Sequence, residues 1–551
     1  MSSLPSLSSP SLSQVLNDEQ DTRDIAEIIQ PTAINVPLFI HQLKSIENME
    51  KLEKEKEITL TSSIYINTNL GVLADLPGYG KSLSMLGLIG RTLDNKVDDT
   101  FPLERKTNFQ YVSQTKVELL PQLKTTLILV NISLMTQWIQ ELNRTLLRHT
   151  AIYAKTEIED IDLDAYDVIL VSNNIYNLFS QVYRKKAWKR FVIDEPASLK
   201  LPAMEESYAL FYWLITSTPN ELYLKQRRTG FLNDLLPDDI EMFHHLILKN
   251  DDQFVKSSYV MPITKHLYYK CMGNLSFLFE GIVSDTVIEM IQAGNISGVF
   301  HAFEYEGMET ARTIIDAYKT RKTKRLSELN SSKDVDEKTL EKIETIESHL
   351  AILDEKILKY VIQNGCIICN SSHTNPSVLA CCQNIFCGEC VGDTCPICKT
   401  IDIQKIPMCI KQLSEPLNES YSYNISTTSR PKTKIDTILD VIGDTLDKKI
   451  LIFSNYNESF SLIKKFLENR NLTYLELRGT KEKRDNTIDS YKTGSVNILL
   501  LNTIHSGAGL NLQETSDIIL YHRIHEYQKI QVIGRANRIG RKIPLHVHYL
   551  E

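Results

Sequence analysis

Short apolar runs alternate with helical patterns along most of the chain. In the first half of the chain, these runs occupy residues 126–130, 167–171, 191–193 and 213–215. A second series near the C-terminus occupies residues 449–453, 473–477, 497–501 and 517–521. Apolar runs of this length, separated by helical segments, are typical of buried strands in a mostly parallel sheet. The pattern therefore predicts two α/β lobes.

Between the two series, apolar residues recur at spacings of three and four. The positions are Ile343, Ile346, Leu350, Leu353, Ile357 and Tyr360. The surrounding segment is rich in Glu and Lys, so the pattern predicts an amphipathic helix that leads into a group of cysteines. The repeat is short for a self-standing dimer, and we expect the helix to pack on a neighbouring helix of the same chain.

The composition is that of a globular protein larger than one hydrophobic core usually supports. Of the 551 residues, 42% are hydrophobic and 24% are charged, so two or three domains are expected. The formal net charge of −8 gives no overall basic footprint, and any contact with nucleic acid must use local patches. The densest basic runs are residues 184–190 and 319–325. Each run could contact phosphate or serve as a nuclear address, and for the first a solvated loop is the favoured alternative.

Two features bear on where the protein works. Residues 1–34 begin with a stretch rich in Ser, Leu and Pro, and we predict a flexible tail there. The chain has no run of about 18 apolar residues, and its N-terminus lacks the features of a secretory signal. We therefore expect a protein that works inside a cell without a membrane partner.

A glycine-punctuated turn in residues 71–82 is the first candidate for chemistry. It follows an apolar strand end and precedes an apolar helix. In such a loop, with Gly78 and Gly80, backbone amides bind phosphate, Lys81 reaches the terminal phosphates and Ser82 binds Mg²⁺. The strict pattern has glycine where this chain has Asp75, so a plain turn before a core helix is the alternative.

Adjacent carboxylates end the apolar run that begins at residue 191. Asp194 could hold Mg²⁺, and Glu195 could activate the attacking water. An isolated Asp-Glu pair is usually a solvated strand end. Roughly 110 residues after a phosphate loop, it is typical of the metal-binding strand of an NTPase.

Eight of the ten cysteines fall between Cys366 and Cys398. They stand at Cys366, Cys369, Cys381, Cys382, Cys387, Cys390, Cys395 and Cys398. In a reducing compartment, thiolates at such spacing form tetrahedral zinc sites, which supply folding energy that a short segment cannot obtain from a core. The two outlying cysteines, Cys271 and Cys409, are interpreted as ordinary thiols.

Several of these motifs together resemble a Swi/Snf-type DNA-dependent ATPase of the superfamily-two helicase class. In the first lobe the matching segments are, in family order, residues 38–42, 71–82, 126–138, 166–170, 194–197 and 216–219. The resemblance implies that Gln42 reads adenine, that Asp75 is normal at its position, and that residues 126–138 form a DNA-tracking motif. It also implies two RecA-like lobes.

The second lobe carries further matching segments. These are residues 449–454, 478–484, 505–512 and 531–540. The resemblance implies that Gly507 and Gly509 contact nucleotide and that Arg535 and Arg538 are arginine fingers. Two guanidiniums three residues apart on a helix share a face, which agrees with a joint role at developing phosphate charge.

The chain also departs from the family pattern. The family has Asp-Glu-Ala-His where this chain has Asp194-Glu195-Pro196-Ala197. The missing histidine couples nucleotide state to the neighbouring Ser/Thr motif, so coupling could be weakened while the hydrolytic carboxylates remain.

The order of the cysteines resembles a RING finger, in which two zinc ions are held in a cross-brace. By that resemblance one site uses Cys366, Cys369, Cys387 and Cys390, and the second uses Cys382, Cys395 and Cys398. The usual fourth ligand of the second site is histidine, where this chain has Asn384. Either Cys381 joins the second site, or Asn384 or water completes it, or the site is weak.

Ligase-type RING fingers dock a ubiquitin-conjugating enzyme through positions that this chain fills with Ile367, Pro396 and Lys399. A purely structural zinc clip, or a protein-docking surface, is the alternative.

The expected domains are a tail at 1–34, an ATP-binding RecA-like lobe at 35–265, a helical inter-lobe segment at 266–365, a RING-type zinc finger at 366–399 and a C-terminal helicase lobe at 400–551.

The resemblance implies an ATP hydrolase with Mg²⁺ and Zn²⁺ that moves along double-stranded DNA and remodels protein–DNA complexes, with ubiquitin ligation as an added activity. The alternatives are a RING scaffold or ligase with weakly active ATPase lobes, and a transcription factor of the kind found in large DNA viruses. The expected location is the nucleus or, for a viral protein, the host cytoplasm or virion.

Overall fold

The computed structural model describes residues 29–108, 111–159, 161–199, 201, 203–223, 230–271, 275–303, 313–331, 336–363, 366, 368–369, 373, 375–401, 403–408, 432–443, 448–494, 496–502 and 510–550. These residues form two compact units. The first unit takes the described parts of Met1–Ile263, Ser506–Glu514 and Glu526–Pro544. The second unit takes those of Thr264–His505, Thr515–His525 and Leu545–Glu551.

The first unit alternates strands and helices. Its strands are β1 Glu57–Thr61, β2 Ile64–Asn67, β3 Leu70–Leu73, β4 Thr100–Asn108, β5 Ser113–Pro121, β6 Thr126–Val130, β7 His149–Ile152, β8 Val168–Ser172, β9 Ala187–Asp194, β10 Tyr208–Ile215 and β11 Ile247–Leu248. Its helices are α1 Ile40–Glu55, α2 Lys81–Arg91, α3 Met135–Leu142, α4 Tyr176–Tyr183, α5 Pro219–Tyr223, α6 Phe231–Leu235, α7 Ile240–His245 and α8 Asp252–Ser258.

Seven of these strands form one parallel sheet in the order β11-β3-β10-β9-β6-β8-β7. The strands β6, β8 and β9 are buried along their whole length. Burial on both faces explains why β6 and β8 are almost entirely apolar. Ile215 of β10 pairs with Leu73 on one side and with Asp194 on the other. The residues that follow β3, β9 and β10 therefore emerge side by side at the carboxyl edge, where parallel α/β sheets bind ligands.

The second unit has a parallel sheet of its own and a small antiparallel one. Its strands are β12 Thr264–Tyr269, β13 Pro376–Leu379, β14 Ile385–Cys387, β15 Lys405–Pro407, β16 Ile450–Ser454, β17 Tyr474–Glu476, β18 Ile498–Asn502, β19 Asp517–Leu520 and β20 Leu545–Leu550. Its helices are α9 Ser276–Phe279, α10 Asp285–Ala293, α11 Ile296–Ala302, α12 Ile314–Asn330, α13 Glu337–Gln363, α14 Lys434–Ile442, α15 Asn457–Asn469 and α16 Lys481–Thr493.

The larger sheet of the second unit runs in the order β12-β20-β19-β16-β18-β17, with all neighbours parallel. The cysteine-rich segment forms the three-stranded antiparallel sheet β14-β13-β15. The apolar runs of both series lie on strands of the two parallel sheets, so the predicted α/β fold class is confirmed.

The helix predicted before the cysteines is confirmed and is longer than the apolar repeat alone indicated. It is α13, and its buried residues Leu353 and Ile357 share an apolar core with Ile314 and Tyr318 of α12. The repeat therefore packs on a neighbouring helix of the same chain, as predicted. Among the described residues, no helix combines the length and the apolar character that crossing a membrane requires.

The last helix, α17 Glu526–Ala536, carries the arginine motif. This helix and the residues that follow it, up to Pro544, belong to the first compact unit, so a segment distant in sequence returns to the sheet that carries the phosphate loop.

Candidate nucleotide site and metal-ligating cysteines

The phosphate loop between β3 and α2 depends on two glycines with left-handed backbone. Gly78 has φ 81° and Gly80 has φ 82°, where L side chains are strained. A Cβ on Gly78 would lie 2.2 Å from the carbonyl oxygen of Asn537, and one on Gly80 would lie 2.4 Å from Nε2 of Gln42. The loop is therefore packed closely by two other segments of the first unit.

Lys81 begins α2 and turns its side chain back over the loop. Its Nζ donates to the carbonyl oxygens of Asp75 at 2.9 Å and Leu76 at 3.4 Å. Removal from water lowers the pKa of this ammonium group, while the carboxylates of Glu195, Asp75 and Asp194 oppose that shift. Ser82 follows it at the start of α2 and is partly buried.

Asp75 has a bracing role in this structure. Its carboxylate accepts hydrogen bonds from the Ser45 hydroxyl at 2.7 Å and from the backbone N–H of Asn250 at 2.8 Å. The Asn250 side chain also donates to both carboxylate oxygens. Asp75 thus ties the loop to α1 and to the segment after β11. Sequence reasoning missed Ser45 and Asn250, because nothing in the chain marks them as partners.

Gln42 lies against the same loop. Its Oε1 accepts from the backbone N–H of Phe39 at 2.9 Å, and its Nε2 donates to the carbonyl oxygen of Gly80 at 3.3 Å. The amide is buried, and its position at the phosphate loop is compatible with the adenine-reading role that the resemblance implies.

The two carboxylates at the end of β9 accept hydrogen bonds from the helix α3 and from the residue directly after β10. Trp138 Nε1 donates to Asp194 Oδ2 at 2.7 Å, and the Thr216 hydroxyl donates to Glu195 Oε2 at 3.2 Å. Burial, together with the charge of Glu195, raises the pKa of Asp194 to about 7. Burial also raises the pKa of Glu195. A divalent cation would offset both penalties, so this pair fits the predicted Mg²⁺.

Arg535 lies on α17, but the helix ends at Ala536, so Arg538 follows it in the next turn and the predicted placement of both arginines on one helix face is wrong. Both arginines belong to the first unit. The half-buried Arg538 donates through Nη1 to Gln137 Oε1 at 3.2 Å and through Nε to the Gly534 carbonyl at 2.9 Å. Burial lowers the pKa of Arg538, and the carboxylates of Glu141, Asp194 and Glu195 oppose that shift.

The residues that follow α17 contact the phosphate loop directly. The backbone N–H of Ile539 donates to the Gly78 carbonyl at 3.1 Å. Arg535 is buried, and burial together with the charge of Arg538 lowers its pKa to about 10. The structure thus brings Lys81, the two carboxylates and the arginine pair into one unit. The predicted contacts of Gly507 and Gly509 lie outside the described residues.

The eight clustered cysteines form two groups. In each group the sulfur atoms lie within 4.8 Å of one another: Cys366, Cys369, Cys387 and Cys390 in the first, and Cys381, Cys382, Cys395 and Cys398 in the second. Four thiolates that converge in this way fit a tetrahedral zinc ion. Asn384 is buried and donates its Nδ2–H to the Cys382 carbonyl at 3.0 Å. Of the alternatives for the second site, the geometry favours Cys381.

The cysteine module is joined to the helices before it. Gln383, with φ 57°, accepts from the backbone N–H of Ile314 at 2.9 Å, at the first turn of α12. Val378 and Ile385 share the apolar core of α12 and α13. The module is thus packed into the second unit through both a hydrogen bond and an apolar contact.

The first basic run is only partly available to phosphate. Arg190 is buried and forms a bidentate ion pair with Glu53, and the Lys189 ammonium donates to the Thr92 carbonyl. Burial lowers the pKa of Lys189 to about 8. Arg184 and Lys185 remain exposed, while Lys186 is partly buried.

Comparison with protein families finds two matches. A family described as the SNF2-related domain matches residues 41–224, and one described as the helicase conserved C-terminal domain matches residues 433–540. The first range contains the phosphate loop and the carboxylate pair, and the second contains Arg535 and Arg538.

Two curated relatives differ in how much they share with the chain. A helicase-type protein of Acanthamoeba polyphaga mimivirus is 25% identical, over 95% of this chain and 76% of its own length. The E3 ubiquitin-protein ligase SHPRH of Homo sapiens is 24% identical, over 33% of this chain and 12% of its own length.

The solved structure of the Sulfolobus solfataricus SWI2/SNF2 ATPase core in complex with dsDNA is 16% identical. The match covers 95% of this chain and 90% of the Sulfolobus chain, with a TM-score of 0.33. A score of that size supports no structural conclusion.

Proposed function

Because the chain belongs to the SNF2-related class of helicase-like ATPases, we propose that it uses ATP hydrolysis to move along double-stranded DNA and to remodel protein–DNA complexes. Movement of this kind does not require separation of the two DNA strands. The roles of individual residues given below are part of this proposal.

The observation that carries the proposal is the meeting of Lys81, the carboxylates of Asp194 and Glu195, and Arg538 within one compact unit. Phosphoryl transfer is catalysed by positioning and by charge stabilisation more than by covalent chemistry. A cation at the terminal phosphates, carboxylates beside it and a second cation for the developing charge meet that need.

Each side chain has a role that its surroundings support. Lys81 would bind the terminal phosphates of ATP, while Ser82 and Asp194 would hold Mg²⁺, which neutralises phosphate charge. Glu195 would orient and deprotonate the attacking water. Arg538, which follows the helix that carries Arg535, would stabilise charge as it develops on the transferred phosphate.

The missing family histidine does not leave Glu195 without a link to the following strand. The Thr216 hydroxyl, directly after β10, donates to Glu195. The Thr216 oxygen also accepts from the backbone N–H of Thr218 at 3.1 Å. This direct contact favours hydrolytic activity over the alternative of ATPase lobes that turn over poorly.

The test is ATP hydrolysis with and without duplex DNA, at saturating Mg²⁺. We expect duplex DNA to raise the rate in the parent protein, and Lys81→Ala and Glu195→Gln each to abolish turnover. Glu195→Gln should retain ATP binding, because the substitution removes the base and leaves the phosphate loop intact. An ATPase rate that does not respond to duplex DNA would contradict the proposal.

DNA binding is proposed to be independent of base sequence and to use local basic patches. A second basic run, in addition to the exposed part of residues 184–190, occupies residues 319–325 of α12. Within the second unit, Lys319 pairs with Asp354 and Arg325 pairs with Glu328. Exposed pairs of this kind are weak, so phosphate could displace the acidic partners.

For the cysteine module we propose two zinc ions, with Cys381 as the fourth ligand of the second site. The first and third cysteine pairs along the chain form one group, and the second and fourth form the other. That interleaved order is the one a RING cross-brace requires, which supports the proposal. Metal analysis should find two zinc ions per chain, one fewer in Cys381→Ala, and no loss in Cys271→Ala. One zinc in the parent protein would contradict the assignment of the second site.

Ubiquitin ligation is a second candidate function, which the cross-brace order favours. A ubiquitin-conjugating enzyme would dock through Ile367, which lies outside the described residues, and through Pro396 and Lys399. We expect autoubiquitination that Ile367→Ala abolishes. Absence of ligation in the parent protein with both zinc ions bound would instead favour a structural zinc clip.

A further inference from the structure

One short helix of the first unit touches both halves of the proposed catalytic centre through consecutive side chains. From α3, Trp138 Nε1 donates to Asp194 Oδ2 at 2.7 Å. The preceding residue, Gln137, accepts through Oε1 from Arg538 Nη1 at 3.2 Å. The two contacts therefore lie on the same turn of α3, and a shift of this helix would move both.

The contact between Trp138 and Asp194 fixes the orientation of a carboxylate. An indole N–H can only donate, and a hydrogen bond to a carboxylate is among the stronger ones that proteins make. Trp138 is fully buried, with no exposed surface, so its ring is locked by the surrounding core. The carboxylate of Asp194 is consequently presented in one orientation to whatever it binds.

The contact between Gln137 and Arg538 has a different character. Gln137 is partly buried and lies at the rim of the core. Its amide oxygen and the Gly534 carbonyl both accept from the Arg538 guanidinium, which is thereby held in a defined direction. Since the guanidinium carries charge near Asp194 and Glu195, its direction affects both the bound phosphate and the carboxylates.

The position of α3 in the chain adds a functional consequence. The first half of α3 lies in the segment 126–138, which resembles the DNA-tracking motif of the family. This segment begins with β6, a direct neighbour of β9 in the sheet. A force that DNA exerts on this segment would reach Asp194 and Arg538 without passing through any further element.

We propose that Trp138 and Gln137 are positioning residues, which align Asp194 and Arg538 respectively, and that through them α3 relays DNA contact to ATP hydrolysis. The relay to DNA rests on the proposed function. The alignment of Asp194 by Trp138 concerns the nucleotide site alone and holds with or without DNA.

The first test compares Trp138→Phe with Trp188→Phe. Both changes replace a fully buried indole in the same unit, and Trp188 lies at the opposite end of β9 from Asp194, where its ring packs on Phe179 with centroids 5.8 Å apart. Trp138→Phe should lower kcat about tenfold or more, as loss of a hydrogen bond to a charged group does. It should also raise the Mg²⁺ concentration for half-maximal rate, with KM for ATP changed less than about twofold.

Trp188→Phe should leave kcat and the Mg²⁺ dependence at the values of the parent protein. A merely structural role for Trp138 predicts that both variants lose activity in proportion to their loss of thermal stability. Equal effects of the two substitutions, or an unchanged kcat and Mg²⁺ dependence in Trp138→Phe, would overturn the alignment of Asp194.

The second test uses Gln137→Ala, which changes no core residue, against Gln140→Ala on the exposed side of α3. At saturating duplex DNA, Gln137→Ala should reduce the factor by which DNA stimulates ATP hydrolysis about tenfold, the loss expected for one hydrogen bond to a charged group. Gln140→Ala should retain the full factor. Full stimulation in Gln137→Ala would overturn the relay.

The relay to DNA and the alignment of Asp194 by Trp138 are contradicted by different results. If duplex DNA does not stimulate the parent protein, the proposed function and the relay are both contradicted, while the Trp138→Phe measurement without DNA still decides the alignment of Asp194. If duplex DNA stimulates the parent protein, and stimulates Trp138→Phe and Gln137→Ala by the same factor, the proposed function stands and the relay is wrong.

Discussion

Glu195 is constrained through both its backbone and its side chain. Its φ of 46° lies in the left-handed region, which is uncommon for a residue with a side chain, and its backbone N–H donates to the Ile215 carbonyl at 2.8 Å. Its carboxylate accepts from Thr216. Strain of this kind persists where the surrounding structure enforces it, and it recurs at active sites.

This arrangement leads to a prediction for Thr216. In Thr216→Val the hydroxyl is replaced by a methyl group of similar size, so Glu195 loses one of its donors and the Thr218 N–H loses its acceptor. We expect kcat for ATP hydrolysis to fall roughly fivefold, which corresponds to about 1 kcal/mol. The control is Thr216→Ser, which keeps the hydroxyl and should retain most of the rate. A rate in Thr216→Val that equals that of Thr216→Ser would contradict this role.

A second prediction at this scale concerns pH. His522 is buried; its Nε2 accepts from the backbone N–H of Asn455 at 3.0 Å, and its Nδ1 lies 2.6 Å from the Arg523 carbonyl. Because a carbonyl can only accept, Nδ1 carries the proton and the ring is neutral. Burial lowers the pKa of His522 to about 3. The imidazole therefore stays neutral in the folded state at pH values where the unfolded chain, with a histidine pKa of about 6.5, binds a proton.

The free energy of unfolding should thus fall as the pH drops below about 6.5, by about 2 kcal/mol at pH 5. The stability that the neutral ring contributes is present in full above the unfolded pKa of about 6.5. It is lost progressively as the pH falls towards the folded pKa of about 3. Urea unfolding of the parent protein and of His522→Gln between pH 7 and pH 5 measures it, since other groups contribute equally to both. Parallel pH curves for the two proteins would contradict the neutral, buried ring.

At the residue scale, the sequence predicted chemical types better than partners. Lys81, Asp194 and Glu195 are recognisable because their spacing follows strands and turns. The sequence could not decide between Cys381 and Asn384 as the fourth ligand, because separation along the chain does not say which side chain turns towards a cluster. The bracing of Asp75 by Asn250 was also missed, since those residues are brought together by the sheet alone.

At the scale of elements, the contact between α17 and the phosphate loop is the most specific feature of the first unit. Gly78 approaches the backbone of Asn537 so closely that no side chain fits there, and Gly534 of α17 faces Pro77, where an added Cβ would lie 3.0 Å from the ring. The loop and the helix therefore form one packed surface, which fixes the distance between the phosphate site and the arginines.

The element-scale prediction concerns Gly78→Ala, with Gly281→Ala as its control. Both glycines have positive φ, of 81° and 75°, but an added Cβ at Gly281 meets nothing within 4 Å. Gly281→Ala should therefore cost only the conformational strain, about 1–2 kcal/mol. Gly78→Ala should in addition displace α17 and weaken ATP binding at least about tenfold. Nucleotide affinity and melting temperature measured on both variants test this, and equal ATP affinity would contradict the contact.

Elements could be predicted where their periodicity was clear. The parallel strands and the helix α13 follow from apolar runs and from the three–four spacing. The membership of α17 in the first unit could not be predicted, because it depends on a close approach between segments more than 400 residues apart. The hydrogen bond from Ile314 to Gln383, which joins α12 to the cysteine module, is likewise a tertiary contact without a sequence signal.

At the scale of the whole molecule, the described residues combine two parallel sheets with a cysteine module that packs on α12 and α13. The order of motifs and the presence of two α/β lobes were predicted from the sequence and the family resemblance. The first unit holds the described side chains with proposed roles in ATP hydrolysis, and the second holds both sets of thiols. The central claim is that the energy of ATP hydrolysis drives movement along duplex DNA.

The most direct measurement is displacement of a third strand from triplex DNA, with a duplex flank on which the protein can load. The account predicts ATP-dependent release of the third strand by the parent protein, no release by Glu195→Gln, and no separation of the underlying duplex. Release of the third strand at the same rate with and without ATP, or no release by a parent protein that hydrolyses ATP and binds the duplex, would contradict the claim.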